Sequence, residues 1–307
     1  MKKITVFTPT YNRAYCLHQL YESLVRQKNQ DFLWLIIDDG STDTTRGLVD
    51  KWKTEELIEI QYVYKENGGM HTAHNKAYEL LITELNMCID SDDYLTDDAI
   101  EKILAFWNKN KNAEVGAIYA LDCTKDGKIL GQKYPDDLKH FQGWGCKIVI
   151  YNKNKIHKVV GDKKCISVTK HLKKYPQIPV FDGEKFYSLY WKQHFLERDY
   201  NILILNEPVC VVEYLPDGAS MNKFKQYLDN AKGFQHLRLT LMKISPTLLL
   251  RFRECIHYVN SSIILRDKKF IKNSNQIFLT VLAIPFGALL YLFTLYKQNR
   301  LLKINLK

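Results

Sequence analysis

Three carboxylates fall within four residues at Asp90-Ser91-Asp92-Asp93, directly after the apolar Met87-Cys88-Ile89. Like charges this close repel one another unless a cation sits among them. Carboxylate oxygens suit hard divalent ions, and Mg2+ or Mn2+ typically keeps one or two protein ligands, taking the rest from water and phosphate oxygens. The cluster therefore suits a metal that bridges a diphosphate, although the same residues also make an ordinary turn with helix-capping aspartates. Three other polar clusters precede it: Thr8-Pro9-Thr10-Tyr11-Asn12-Arg13, Asp38-Asp39-Gly40-Ser41-Thr42-Asp43, and Glu66-Asn67-Gly68-Gly69 with His74-Asn75.

The elements that must hold these clusters follow from hydrophobic periodicity. Strands are predicted at Ile4 to Thr8, Leu33 to Ile37, Ile60 to Tyr64, Met87 to Ile89 and Val115 to Leu121. Helices are predicted at Ala14 to Lys28, from Asp43 on with Ser41 or Thr42 as cap, at His71 to Leu85, and at Asp97 to Trp107. This alternation predicts an α/β protein with a parallel-type sheet flanked by helices. Each polar cluster lies at the carboxyl end of a strand, where such sheets bind ligands. From 122 to 200 the pattern loosens through Gly143-Trp144-Gly145 and a Lys-rich stretch. Pro179 to Phe186 then opens a helix running through Phe195, and Ile202 to Leu205 and Val209 to Glu213 read as two more strands.

Composition narrows the class. At 307 residues, 46% hydrophobic and 25% charged, the chain can bury a core and is not disordered. Seven scattered cysteines without Cys-x-x-Cys exclude a zinc ribbon or a paired disulfide frame, and read as reduced thiols. The apolar run Ile4 to Phe7 is too short for a signal-peptide core, so the chain is expected to start in the cytoplasm. The net charge of +10 is uneven: residues 221–307 carry 15 Lys and Arg against Asp229, Glu254 and Asp267, while the rest is nearly balanced. That basic region frames 24 consecutive uncharged residues, Asn273 to Tyr296, a membrane signature before a nucleic-acid one. No nucleic-acid partner is expected.

Taken in order, the four clusters resemble the nucleotide-sugar-binding half of the family 2 glycosyltransferases of bacterial surface-polysaccharide type, and the resemblance implies their GT-A fold, a mixed, mostly parallel sheet flanked by helices. The resemblance is strong over residues 1–120 and weaker over 121–220. It implies a GT-A domain at 1–220, with 1–120 as the donor half and 121–220 as the acceptor half. Residues 221–307 become a basic helical appendage with its apolar segment at 277–296. The family implies a nucleotide-diphosphate sugar, a divalent metal (Mn2+ or Mg2+) and inversion at the anomeric carbon. By position, Pro9, Tyr11 and Arg13 match residues lining the nucleotide, and Asp39 the acid that reads the base edge, which suits the N–H of a uracil and hence a UDP-sugar. Asp90 matches the residue near the ribose and Asp92 the metal ligand of the Asp-x-Asp motif. Asp93 stands behind them. Asn75 could cap its own helix or touch the donor, and Lys65 and His71 are possible phosphate or base contacts.

An inverting transfer needs one general base to take the acceptor's proton. Glu184 is the candidate, at the start of a helix where the family places its base. Many members have Glu-Asp there, whereas this chain has Gly183-Glu184-Lys185, so Asp182 is the alternative; a carboxylate favoured at a helix N-terminus is the structural reading of the same residue. Tyr214 to Ser220 resembles the loop that closes over the donor, with Asp217 where other members often place a His. A dehydrogenase is disfavoured because no Gly-x-Gly-x-x-Gly follows the first strand. A nucleotidyltransferase of similar fold and a non-catalytic membrane scaffold remain as rivals. The setting implies a lipid-linked or polymeric glycan acceptor at the cytoplasmic face of a bacterial membrane with an anionic surface. Pro285 and basic residues on both flanks favour a pair of half-helices, re-entrant or interfacial, over a single crossing.

Overall fold

The computed structural model describes residues 2–143, 149–152, 155–159, 161–213 and 223–305. The chain divides into two compact units, Met1–Gln177 with Tyr190–Leu215, and Ile178–Leu189 with Pro216–Lys307. The segment 178–189, placed by sequence in the acceptor half, thus groups with the C-terminal helices.

The first unit runs β1 (Ile4–Thr10), α1 (Ala14–Val25), β2 (Phe32–Asp38), α2 (Thr45–Glu55), β3 (Ile60–Tyr64), α3 (Met70–Leu80), β4 (Leu85–Cys88), β5 (Tyr94–Leu95), α4 (Ala99–Asn110) and β6 (Val115–Cys123). It continues through β7 (His140–Phe141), the hairpin β8 (Val149–Asn152) and β9 (Lys155–Lys158), then β10 (Lys163–Val168), α5 (Thr169–Leu172), α6 (Trp191–Asp199) and β11 (Asn201–Val211). The main sheet has the order β3-β2-β1-β4-β10-β6-β11-β5, with β7 also on β11. Strands β3, β2, β1 and β4 are parallel, whereas β10 is antiparallel to both neighbours, β4 and β6.

Alternation along β1 distributes its side chains to two layers. Ile4 and Val6 join the core that α1, α2 and α4 cover. Phe7 faces the other side, its ring edge-on to His74 and Tyr78 of α3. The first layer is anchored by aromatics: Tyr21 stacks on Trp52 at 4.4 Å, and buried Trp34 donates its Nε1 hydrogen to Thr8. Pro9 fits a central strand because its nitrogen faces the β4 side just beyond that strand's last pairing, Phe7 with Cys88, so no ladder bond is lost.

The structure corrects several sequence expectations. Lys163–Val168, read as part of a Lys-rich loop, is a central strand. The two strands expected at 202–213 are one, β11, whose register shifts around Pro208. No helix opens at Glu184: Gly183 takes φ +83°, and α6 starts only at Trp191. At α2 it is Asp43, not Ser41 or Thr42, that accepts the Thr45 amide, at 3.0 Å.

The second unit contains α7 (Lys223–Asp229), α8 (Ala231–Ile244), α9 (Leu248–Ile264), α10 (Phe270–Asn273) and α11 (Ile277–Asn305). Its core joins Met242 of α8, Cys255, Tyr258 and Val259 of α9, and Ala283 of α11. Fully buried Glu254 is held by Arg238 and Arg253, each at 2.7 Å. Helix α11 continues through Pro285, so the expected half-helices are one helix.

Candidate active site

Beyond the ends of β1, β2 and β3 the loops are tied to one another. Asn12, in the left-handed region at φ +53°, accepts the Thr42 amide through Oδ1 at 2.8 Å, while its own amide donates to Ser41 Oγ at 2.9 Å. Asp38 accepts from the Ser41 amide and from the Tyr62 hydroxyl. Asp39 is buried and accepts from the amides of Gly68 at 3.1 Å and Gly69 at 2.8 Å, and from Lys65 Nζ, which also donates to Thr72 at 2.9 Å. Gly40 is required here twice over: its φ is +87°, and a Cβ would come within 2.8 Å of the Asn67 amide. Asp39 and Lys65, two residues picked out by sequence, are thus brought together as the knot of this loop. Tyr11 stands half exposed, and Arg13 contacts the Tyr15 hydroxyl and lies 5.6 Å from its ring centre. Asn75 is partly buried on α3, and His71 is buried on the same helix.

The Asp90–Asp93 turn closes with the Asp93 amide donating to the Asp90 carbonyl at 3.0 Å. Its carboxylates divide by environment. Asp90 and Asp92 are partly exposed past the end of β4. Asp93 is buried, with Oδ2 3.5 Å from Lys164 Nζ and Oδ1 accepting the Glu213 amide at 3.3 Å. Burial pushes Asp93 up to about 7 against the pull of Lys164, with Asp90, Asp92 and Asp122 adding to the rise. Burial alone would lower Lys164, but Cys210, Asp122, Asp93 and Asp90 hold its ammonium charged. Asp93 is therefore a strut from the turn to β10 and the end of β11. Behind Asp90 lies a buried row: its Oδ1 is 3.8 Å from Cys88 Sγ, which is 3.6 Å from His74 Nε2, while His74 Nδ1 meets the Tyr78 hydroxyl at 3.1 Å. Burial lowers His74 to about 4, so it is neutral.

Sequence reading missed Lys164 and Asp122. A signal existed, because Lys164, Ile166 and Val168 alternate onto one face of β10, and the last two are core residues.

The donor set fits a divalent ion carried with a diphosphate. Among the described residues no three His, Cys, Asp or Glu converge into a cage, and Mg2+ or Mn2+ bound with phosphates needs none. Asp93 is buried against Lys164, and Asp90 and Asp92, partly exposed on the same turn, are the carboxylates that would hold it.

In the second unit Glu184 and Asp182 lie on one turn. Both Glu184 oxygens accept amides at the start of α8, from Lys232 and Gly233, each at 2.7 Å. Asn230 reciprocates by accepting the amides of Lys185 and Phe186 at 3.0 Å. Glu184 thus occupies a favourable position for an anion, a helix N-terminus. Asp182 is exposed, and its carboxylate makes no hydrogen bond among the described residues. Asp217 and the 214–220 loop lie outside the described residues.

Residues 5–170 match the family model described as glycosyl transferase family 2. Similar proteins include the poly(ribitol-phosphate) beta-N-acetylglucosaminyltransferase TarS of Staphylococcus aureus (strain Mu50), 30% identical over 34% of this chain and 19% of TarS. Another is a teichoic acid poly(glycerol phosphate) polymerase of Staphylococcus epidermidis, 34% identical over 35% of this chain and 15% of the polymerase. The chain spans half or less of the length of the curated relatives it matches. Among solved structures, S. aureus TarS 1-349 in complex with UDP-GlcNAc superposes with a TM-score of 0.58 at 16% identity, covering 92% of this chain and 79% of that one. The mannosyltransferase PcManGT of Pyrobaculum calidifontis, in complex with GDP-Man and Mn2+, gives 0.55 at 15% identity, covering 93% and 73%. These likenesses establish the fold, a GT-A-type mixed sheet. The family match covers more than half of the chain, and the chain belongs to glycosyl transferase family 2.

Proposed function

We propose that this family 2 member is an inverting, metal-dependent glycosyltransferase that moves a hexose or N-acetylhexosamine from a UDP-sugar to a lipid-linked or polymeric glycan in bacterial surface-polysaccharide synthesis. The observation that carries the reading is the set of carboxylates at the ends of β2 and β4: Asp39 tying the donor-side loops together, and Asp90 and Asp92 partly exposed on the turn past β4 while Asp93 is buried against Lys164. The UDP-GlcNAc and GDP-Man complexes of two neighbours of the same fold support a nucleotide-sugar donor, and the cell-wall polymer relatives support a polymeric acceptor.

In this reading Asp39 holds the 67–69 loop and accepts the N–H of a uracil in place of the long bond it now takes from Asn67 Nδ2 at 3.3 Å. Pro9, Tyr11 and Arg13 line the nucleotide, Asn75 contacts the donor, and Asp90 lies near the ribose. A divalent ion on Asp92 would supply positive charge for the departing diphosphate. As the acceptor oxygen bonds to the anomeric carbon, its proton passes to a carboxylate of the 182–184 turn. The bond to the diphosphate breaks, and UDP leaves. Asp182 is the more open of the two carboxylates and the base we assign, with Glu184 holding the turn. The basic C-terminal unit places the enzyme at the cytoplasmic face of the membrane, where a lipid-linked acceptor is met.

The test is release of free nucleotide by the purified full chain from a panel of UDP-sugars and GDP-mannose, with and without EDTA. One UDP-sugar should turn over, chelation should abolish turnover, and Asp92→Ala should lower it at least about 100-fold while the chain stays folded. Full turnover in EDTA or by that variant removes the metal role. No release from any donor removes the transferase reading.

A further inference from the structure

Helix α11 is built the opposite way round from a helix of a soluble core. The side it buries carries small or polar residues: Thr280, Ala283, Gly287 and Thr294. At Gly287 a Cβ would lie 2.5 Å from Val259 and 3.0 Å from the Ile256 carbonyl oxygen, so glycine is what lets α11 settle onto α9. Leu279 and Ile284 pack against the core of the unit, and the large side chains of the opposite face point outward. Phe278 is 74% exposed, Leu289 64%, Leu292 60% and Tyr296 59%, with Leu282, Phe286 and Phe293 between them about half exposed. At 100° per residue these seven fall on one face and the four buried positions on the other. Leu248 and Leu249, exposed at the start of α9, lie one turn before Phe252, whose ring meets Phe286 edge-on at 5.7 Å. The apolar face therefore continues from α11 onto α9.

The charges around it select the occupant. Arg266, Lys268, Lys269 and Lys272 are exposed just before α11, and Lys297 lies over the Phe293 ring at 5.4 Å, its stem along the apolar face. A contiguous apolar face with a cationic rim complements anionic lipid. The packing of the unit excludes a crossing. On its inner side α11 is packed on α9 at Ala283 and Gly287. α9 carries the buried Glu254 with Arg238 and Arg253. A spanning α11 would draw that charged cluster into hydrocarbon or be stripped from α9, both costly.

We infer that α11 lies in the plane of an anionic membrane, with the face from Phe278 to Tyr296, together with Leu248 and Leu249, seated at the boundary between headgroups and acyl chains. The inference deepens the membrane placement proposed above and uses no step of the reaction.

The experiment is flotation of the full chain with vesicles of phosphatidylglycerol and phosphatidylcholine, compared with phosphatidylcholine alone. Binding should need the anionic lipid. Leu282→Lys combined with Leu289→Lys should lower the bound fraction about tenfold or more without moving the melting temperature, since both positions are exposed. Because that pair could still disturb the helix, depth is read separately with lipids brominated at shallow and deep acyl positions. Phe278→Trp, Phe286→Trp and Phe293→Trp should each gain fluorescence that the shallow bromines quench to an equal extent. Quenching that is deep at 286 and shallow at 278 would mean a spanning helix and overturn the inference. So would a failure to float accompanied by a dimer in solution, with the face covered by a second copy. Flotation without nucleotide release from any donor supports the inference while removing the transferase reading.

Discussion

The two units bury opposite kinds of side chain. In the first, Trp34, Phe7, Ile36 and Leu20 are fully enclosed, and the polar residues that carry chemistry gather at the strand ends. In the second, α11 encloses threonines, alanine and glycine and turns its phenylalanines and Leu282, Leu289 and Leu292 outward. Hydrophobic burial stabilises each by roughly the same amount per area, so the difference lies in the solvent each outer surface is made for. One surface is finished for water and small polar ligands; the other is complete only against something apolar.

The sharpest way to break this division of labour is to ask whether the second unit also contributes to chemistry. Asp182→Asn should reduce transfer about 10²- to 10⁴-fold with the melting temperature unchanged, as loss of a general base does. Glu184→Gln should leave transfer within about tenfold of the native rate, yet lower stability by about 1–2 kcal/mol through the weakened hold on the Lys232 and Gly233 amides. Steady-state kinetics with thermal melts decides it, and the reverse pattern makes Glu184 the base.

A smaller effect tests how dry the first unit is. Its buried His74 titrates near 4 rather than at its ordinary 6.5. A histidine lowered by folding contributes stability that is complete above 6.5 and lost as pH falls through 4, about 3 kcal/mol in all. Denaturant unfolding between pH 7 and 4 should show that slope in the native chain and a flatter one in His74→Phe; parallel slopes would count against burial as the cause.

The smallest effect compares two glycines. A Cβ at Gly116 would fall 2.6 Å from the Tyr200 Cβ, and one at Gly287 2.5 Å from Val259. Gly116 lies in a closed sheet, so Gly116→Ala should cost about 2 kcal/mol by overpacking. Gly287→Ala should cost about 1 kcal/mol or less, because α11 has an open side toward which it can shift and alanine favours helix. Equal losses in chemical denaturation would show the second unit to be as rigidly packed as the first.

The legible parts of this molecule were those with a local signature. Parallel strands such as Leu33 to Ile37 are continuous apolar runs, and the clusters after them stand out because polar residues interrupt those runs. β10 was hidden because three of its first features, Lys163, Lys164 and the basic stretch before them, read as solvated surface. Lys164 is partly buried, and its charge is held by groups from three distant segments: Asp93, Asp122 and Cys210. The turn at Gly183 defeated the helix expectation at Glu184 for a similar reason, since the amides that hold that carboxylate belong to α8, far along the chain. At α11 Pro285 suggested a break, but packing on α9 keeps the helix in one piece.

The position of β10 has a consequence for how the chain comes into being. β4 ends at Cys88, yet the strand that pairs with it on its far side begins only at Lys163, and β11, which completes the pairing of β6, ends at Val211. As the polypeptide emerges from the ribosome, β3, β2, β1 and β4 are available to assemble through short crossovers while the edge of β4 stays bare. Closing the sheet must then await a loop of long sequence separation, the kind of step that slows folding. During that interval the newborn protein carries an unpaired strand edge, the state in which a chaperone would meet it and in which it is most prone to associate wrongly with its own kind.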